Sequence, residues 1–229
     1  MKIRFLLLLS FCASPFFLWA QTPAASGFRT DAFHTGADEI QIWSGYSPDS
    51  ISWIGKTESR RLFLAGFGWR RVIVASDSIA WKFTVDIVPV ALVSQPTVNG
   101  ATVVDDPKQL FSICGTPAAC GVTVGRRTDY GFGLEPVGFD FNFRRRRRFQ
   151  PVVGINGGFL KFGHDVPVSN SNSFDFTFSL RAGLQMFISE SRSVTIGYRY
   201  HHISNANTGN PFNPGIDSNL IYAGFSFHR

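Results

Sequence analysis

The stretch Phe174-Asp175-Phe176-Thr177-Phe178-Ser179-Leu180-Arg181-Ala182-Gly183-Leu184-Gln185-Met186-Phe187-Ile188 repeats with a period of two. Phe174, Phe176, Phe178, Leu180, Ala182, Leu184, Met186 and Ile188 form one apolar series. Asp175, Thr177, Ser179, Arg181, Gly183 and Gln185 alternate with them. Successive side chains of a β-strand point to opposite faces, so one face is aromatic and aliphatic and the other carries charges, amides and hydroxyls. A wall between lipid and a polar lumen has this composition. A soluble ligand-binding barrel reverses it, with apolar residues inside. Alternation alone does not say which face points inward.

Seven further stretches read as strands: Glu39–Tyr46, Leu62–Val74, Ile79–Ala91, Tyr130–Phe143, Phe149–Phe162, Ser193–His202 and Ser218–Phe227. In the third of these, Ile79, Trp81, Phe83, Val85, Ile87, Pro89 and Ala91 share a face, and Ala80, Lys82, Thr84 and Asp86 begin the other. In the fourth, Val137, Phe139, Phe141 and Phe143 oppose Gly138, Asp140 and Asn142, and Glu135-Pro136 predicts a bulge. The connections help decide. Short turns (Ala75–Ser78, Arg144–Arg148, Ser189–Arg192) alternate with long loops of about 15, 38, 11 and 15 residues, the outer-membrane pattern. The fold class read from this is all-β: an eight-stranded antiparallel transmembrane β-barrel of the bacterial outer membrane over residues 38–229. Both termini then lie on the short-turn, periplasmic side. Trp81, Phe83, Val85, Phe139, Phe141, Phe176, Phe178 and Leu180 should form an outward belt. One departure is the C-terminus, where Phe225 and Phe227 precede His228 and Arg229 although such strands commonly end on an aromatic.

The chain opens with Lys2 and Arg4, an apolar run from Phe5 to about Leu18, and Ala20. Residues 1–20 read as a secretory signal peptide, with Leu18 larger than the usual small residue at that place. A lipoprotein at Cys12 is disfavoured by the bulky Phe11 and by the truncated apolar run it would leave. Export leaves roughly 209 residues, one domain's worth, with residues 21–37 as an N-terminal periplasmic segment. No later apolar run approaches the ~18 residues of a spanning helix. The 24 Phe, 5 Trp, 5 Tyr and 22 Gly suit a lipid-facing coat with glycines where strands crowd. Cys114 and Cys120 flank Gly-Thr-Pro-Ala-Ala in a loop, and a local disulfide is expected after export. Two unpaired thiols are the alternative, and a metal site lacks further ligands nearby. The formal charge of +6 is concentrated at Arg144–Arg148. That cluster contains no aromatics, so a basic turn at a membrane surface fits better than nucleic-acid binding, and a solvated turn that stops strand sliding is the plainest version.

Between Tyr198 and Ser218 lie the three residue types of an acyl-transfer triad. His202 stands two residues before Ser204 at a strand end, a Gly/Asn/Pro-rich loop follows, and Asp217 opens the next strand. Val194, Ile196, Tyr198 and Tyr200 share the parity of His202 and Ser204. Ile221, Ala223, Phe225 and Phe227 share that of Asn219 and Asp217. All three candidates are therefore expected on the lipid-facing surface of adjacent strands, near the long-loop rim, while His201 should face the lumen or the loops. An imidazole, a hydroxyl and a carboxylate turned to lipid are costly unless paired.

At these residues the chain resembles the outer-membrane lipid A 3-O-deacylases and their acyloxyacyl-hydrolase-like relatives. The resemblance rests on His202-Ile203-Ser204-Asn205-Ala206, on Asn213-Pro214-Gly215-Ile216-Asp217, and on Gly36-Ala37-Asp38-Glu39-Ile40 with Gly45-Tyr46-Ser47 at the first strand. It implies hydrolysis of an ester-linked acyl chain of lipid A, with Ser204 as nucleophile, His202 as base and Asp217 as orienter. It also implies oxyanion or substrate contacts from Asn205, Asn213 and Gly215. The implied partners are lipopolysaccharide as substrate and the surrounding membrane lipids, with no metal or other cofactor and no nucleic acid. The family carries glutamate where this chain has Asp217, so Asp217→Glu is expected to preserve or raise activity. Lys56, Arg60, Arg61, Arg126 and Arg127 are candidates for the lipid A phosphates, or else plain loop charges. A non-catalytic structural or adhesion barrel would instead disperse the His, Ser and Asp. A soluble barrel binding a hydrophobic ligand would turn Phe174, Phe176 and Phe178 inward.

Overall fold

A computed structural model of the chain describes residues 28–109, 115–208 and 213–229. The expected signal peptide lies outside the described residues, as does Cys114; Cys120 is disulfide-bonded. The strands are β1 (Asp38–Ser47), β2 (Ser50–Ile51), β3 (Arg61–Ala75), β4 (Ile79–Val98), β5 (Ala101–Thr102), β6 (Val124–Phe143), β7 (Phe149–Val166), β8 (Asn172–Ser189), β9 (Arg192–Ser204) and β10 (Ile216–His228). They form one 10-stranded sheet, in which β2 and β5 are only 2 residues each. The eight long strands pair antiparallel with their neighbours in sequence, and β1 closes the barrel on β10 from Glu39↔His228 to Tyr46↔Ile221.

The outer face is apolar. Trp81, Phe141, Phe176 and Leu180 are exposed and Phe83, Val85, Phe139 and Phe178 half-exposed, while their alternates Lys82, Thr84, Asp86, Asp140, Asn142, Asp175, Thr177, Ser179 and Arg181 are buried in the lumen. The soluble-barrel arrangement is thereby overturned, since Phe176 is 43 % exposed. Asp86 and Asp140 each hold both Arg70 and Arg181 at 2.6–3.4 Å, and Lys82 meets Glu39 at 2.7 Å. Charges buried this deeply persist only when paired.

The lumen is not polar throughout. Towards the long loops Trp43, Leu62, Leu64, Val88, Val93, Leu160, Phe162, Val166, Ile203, Ile216 and Leu220 pack into one apolar plug. A register shift between Val88 and Ala91, opposite β6, turns the alternation of β4 over. Ala91, expected on the outer face, is consequently fully buried in that plug. The bulge expected at Glu135-Pro136 is present between Leu134 and Val137, and it delivers Glu135 to Arg199 in the lumen.

At the short-turn end Phe33 and Ala37 pack with Val72, Ala80 and Phe187. The segment before β1 is therefore seated in the barrel mouth. The departure at the C-terminus has a local reason. Phe227 supplies the outward aromatic, and the buried His228 stacks near Phe33 and Phe187 and meets Ser193 at 2.8 Å. β4 and β6 run on to Val98 and from Val124, and β7 and β8 to Val166 and from Asn172. These strands exceed the ~9–11 residues that span a bilayer, so the hairpins stand above the rim and their loops shrink.

Candidate active site

His202 is the third residue from the end of β9, and the register sets it directly opposite Asp217 on β10. Its Nδ1 lies 2.6 Å from Asp217 Oδ1. A ring that donates Nδ1–H to a carboxylate keeps a lone pair on Nε2, the tautomer a general base needs. Ser204 ends β9 on the same face. Among the described residues no hydrogen bond joins its hydroxyl to His202, so of the two contacts expected between these three residues the structure makes the one between His202 and Asp217.

Asp217 has the outward parity expected of it but is fully buried, which corrects its placement on an open lipid-facing surface. The cover is the loop after β2. Trp53, Ile54 and Gly55 each donate a backbone N–H to Asp217 Oδ2, at 3.0, 2.5 and 2.8 Å. Tyr200 Oη donates to Oδ1 at 2.7 Å, beside His202. Every neighbour is a donor, which suits an ionised carboxylate.

Two glycines let this loop approach. A Cβ on Gly55 would lie 2.9 Å from Gly215 C and O and 3.0 Å from Asp217 N. One on Gly215 would lie 3.1 Å from His202 Cε1, and its φ of +62° is itself in the left-handed region. Thr57 Oγ1 donates to Gly215 O at 2.6 Å, and β2 pairs Ile51 with Asp217, so the loop is stitched along the top of β10. Trp53 packs edge-on to Tyr200 at 5.0 Å and, like Ile54, projects from the rim.

The expected oxyanion residues frame the loop after β9. Asn213 Oδ1 accepts Asn205 N–H, and Asn205 Oδ1 accepts Asn207 N–H, at 3.1 and 2.8 Å. The chain reverses there through Ala206 and Asn207, both at positive φ. Of the cations expected at the rim, Arg60 is buried against the carbonyls of Glu58, Val103, Val104 and Pro167. Arg126 holds Ser59 O and Ser94 O, and Arg127 holds Asp129. Lys56 and Arg61 remain exposed.

Cross-strand register extends the site sideways. Val137 pairs with Gly157, Gly157 with Phe178, Phe178 with His202; one step up, Phe159 pairs with Phe176 and Phe176 with Ser204. On this path lies an open groove of about 500 Å³ lined by Val137, Phe139, Ile155, Phe159, Phe176 and Phe178. Gly157 opens its floor, because a Cβ there would meet only Thr177 O at 3.9 Å.

Sequence reasoning missed Tyr200 and the Trp53–Gly55 amides. Tyr200 carried a signal, being two residues before His202 on the same face. The amides carried none, because a backbone N–H is the same in every residue.

A family model described as lipid A 3-O-deacylase (PagL) matches residues 99–226. The match contains His202, Ser204, Asp217 and the loop between them, and begins after the loop that covers Asp217. The crystal structure of the outer membrane enzyme PagL superposes with a TM-score of 0.50 at 15% identity, covering 81% of this chain and 97% of that one. Neisserial surface protein A gives 0.46 at 13% identity, covering 84% and 98%. The outer membrane protein OprG from Pseudomonas aeruginosa gives 0.43 at 11%, covering 86% and 98%. No curated protein matches the chain. At these identities the PagL likeness speaks for the fold.

Proposed function

This outer-membrane barrel belongs to the lipid A 3-O-deacylase (PagL) family, and from that membership and the geometry of its site we propose that it hydrolyses an ester-linked acyl chain of lipid A through Ser204, His202 and Asp217. One observation carries the reading. His202 holds Asp217 through Nδ1 at 2.6 Å while its other ring nitrogen is left for the serine two residues along the same strand face.

Ser204 Oγ attacks the ester carbonyl carbon and passes its proton to His202 Nε2. Asp217 holds the imidazolium that results. Collapse of the tetrahedral intermediate breaks the bond to the sugar oxygen, which takes the proton back from His202. Water then attacks the acyl-serine in the same way, releasing a free fatty acid and restoring the hydroxyl. Serine at its free pKa is a weak nucleophile, so the base is required. The developing oxyanion falls to main-chain donors of the Asn/Gly-rich loop after β9. Asn213 and Gly215 keep that loop against the ring.

The acyl chain crosses from Ser204 over its strand partner Phe176 into the apolar groove on β8, β7 and β6, β6 lying roughly 14 Å from β9 at three strand spacings. This places the scissile ester at the lipid boundary and the chain among Phe176, Phe178 and Val137. Tyr200 and the Trp53–Gly55 amides hold Asp217 and thereby aim the base. Lys56, exposed beside Gly55, and Arg61 are the rim cations left open to a phosphate.

The test is incubation of the purified barrel with lipid A and mass spectrometry of the products. Free fatty acid and a lipid A lighter by one acyl chain are expected from the wild type and not from Ser204→Ala. Intact lipid A after incubation with a folded wild-type barrel would leave the non-catalytic, structural reading standing.

A further inference from the structure

The run Arg144–Arg148 divides into two classes once its partners are known. Arg145 is buried and donates to Ser76 O and to Phe33 O at 3.0 Å, and Arg148 donates to Phe187 O at 3.3 Å. Arg145 ties the β6–β7 turn to the seated N-terminal segment, and Arg148 ties it to β8. Arg144 and Arg147 do no such work: both are exposed, and neither makes an ion pair among the described residues. Arg144 also has a φ of +57°. That conformation is costly for a side chain with a Cβ, and glycine is its default occupant. The turn itself has no need of an arginine at that position, which directs attention to what its side chain can hold.

Arg29 joins them from the other side. Thr30 N–H donates to Arg146 O at 3.3 Å and Thr30 Oγ1 to Glu190 O at 3.4 Å, which brings Arg29 to the turn. Arg29, Arg144, Arg146 and Arg147 with Asp77 and Ser78 line an open cup of about 790 Å³. The one carboxylate in it, Asp77, is already engaged by Arg146 at 3.1 Å. Within the cup four guanidinium groups face this one partly neutralised acid, while Arg29 and Arg146 also border Asp31 and Glu190 in the adjoining cavity, leaving Arg144 and Arg147 as its least compensated charges.

The position selects the ligand. The cup lies at the short-turn end, and the exposed aromatics Phe143, Phe149, Trp81 and Phe141 begin immediately beside it on the outer face. Aromatics at that level mark the membrane–water interface, so the guanidinium groups sit at headgroup depth. Their planar donor forks match phosphate oxygens. We propose that this cup binds the phosphate of an anionic phospholipid of the periplasmic leaflet, fixing the barrel's lower rim and the N-terminal segment to that leaflet. The site is at the opposite end of the barrel from Ser204 and does not depend on the catalytic reading.

The experiment uses the full mature barrel in detergent and native mass spectrometry, titrating phosphatidylglycerol, phosphatidylcholine or inorganic phosphate. Retention of phosphatidylglycerol over phosphatidylcholine is expected. Arg144→Gly should weaken phosphatidylglycerol binding about tenfold, although it relieves the backbone and leaves the unheated gel mobility of a folded barrel unchanged. Arg144→Gln/Arg147→Gln should weaken it further, and Arg192→Gln, at the same end but outside the cup, should not. Equal retention of the two lipids would overturn the proposal. So would undiminished binding by Arg144→Gly, or saturation by inorganic phosphate with no preference for the anionic lipid.

Discussion

Replacing Gly55 by alanine tests whether the covering loop aims Asp217, the carboxylate proposed to orient His202. The new Cβ would stand 2.9–3.0 Å from backbone atoms of Gly215 and Asp217, none of which can rotate away. Restoring ordinary contact requires the loop to lift by roughly 0.5 Å. The three N–H contacts to Asp217 Oδ2, now 2.5–3.0 Å, would then stretch towards the end of the hydrogen-bonding range. A hydrogen bond to a charged group contributes about 1.5–3 kcal/mol. Losing the equivalent of one from the group that orients His202 corresponds to a fall in kcat of about 10–100-fold, at about 1.4 kcal/mol per factor of ten. The assay is fatty-acid release from lipid A, with unheated gel mobility to show a folded barrel. Gly163→Ala is the control, since its Cβ would meet only Tyr130 O at 3.8 Å, and it should behave as wild type. A folded Gly55→Ala barrel with undiminished kcat would refute the role given to the loop.

Tyr200→Phe removes one of the two donors on Asp217 Oδ1 and should lower kcat about tenfold, consistent with one hydrogen bond to a charge, with KM little changed; a raised KM at constant kcat would place Tyr200 in substrate binding instead. Asp217→Glu, expected from the family resemblance to preserve or raise activity, should instead lower it. The added methylene drives the carboxylate into the Trp53–Gly55 amides, and initial rates on lipid A decide between the two. In the lumen, Arg181→Leu leaves Asp86 and Asp140 sharing Arg70 alone. It should lower the urea unfolding midpoint by an amount worth about 3–5 kcal/mol, and an unchanged midpoint would show that the ion network adds nothing to stability.

The barrel was legible because period-two alternation is local: Phe174–Ile188 carries its inside and outside within one strand, and Ala75–Ser78 or Arg144–Arg148 carries its turn. What escaped depends on contacts between distant residues. Ala91 changes face because of a register shift against β6 at Pro89, a strand proline that marks a bulge as Pro136 does and that the face assignment ran straight through. The apolar plug of Leu62, Leu64, Phe162 and Ile203 was hidden because an apolar residue on a lumen-facing parity looks the same as one in an ambiguous strand. At the site, parity placed His202 and Ser204 on one face and pointed to Asp217 beside them. It could not foresee that Asp217 is covered, because the cover comes from a loop more than 160 residues away in sequence and acts through main-chain amides. Gly55 was one of many glycines until its neighbours Gly215 and Asp217 were known.

The most direct test of the mechanism is covalent capture of the nucleophile. The purified barrel is treated with a long-chain lipid phosphonate ester, which serine esterases open by attack at phosphorus, and the adduct is located by peptide mass spectrometry. A single adduct on Ser204, lost in His202→Asn while the barrel stays folded, is the expected result. Adduct formation at another residue, or equal labelling of Ser204 with and without His202, would contradict the assignment of Ser204 as a nucleophile activated by His202 and Asp217.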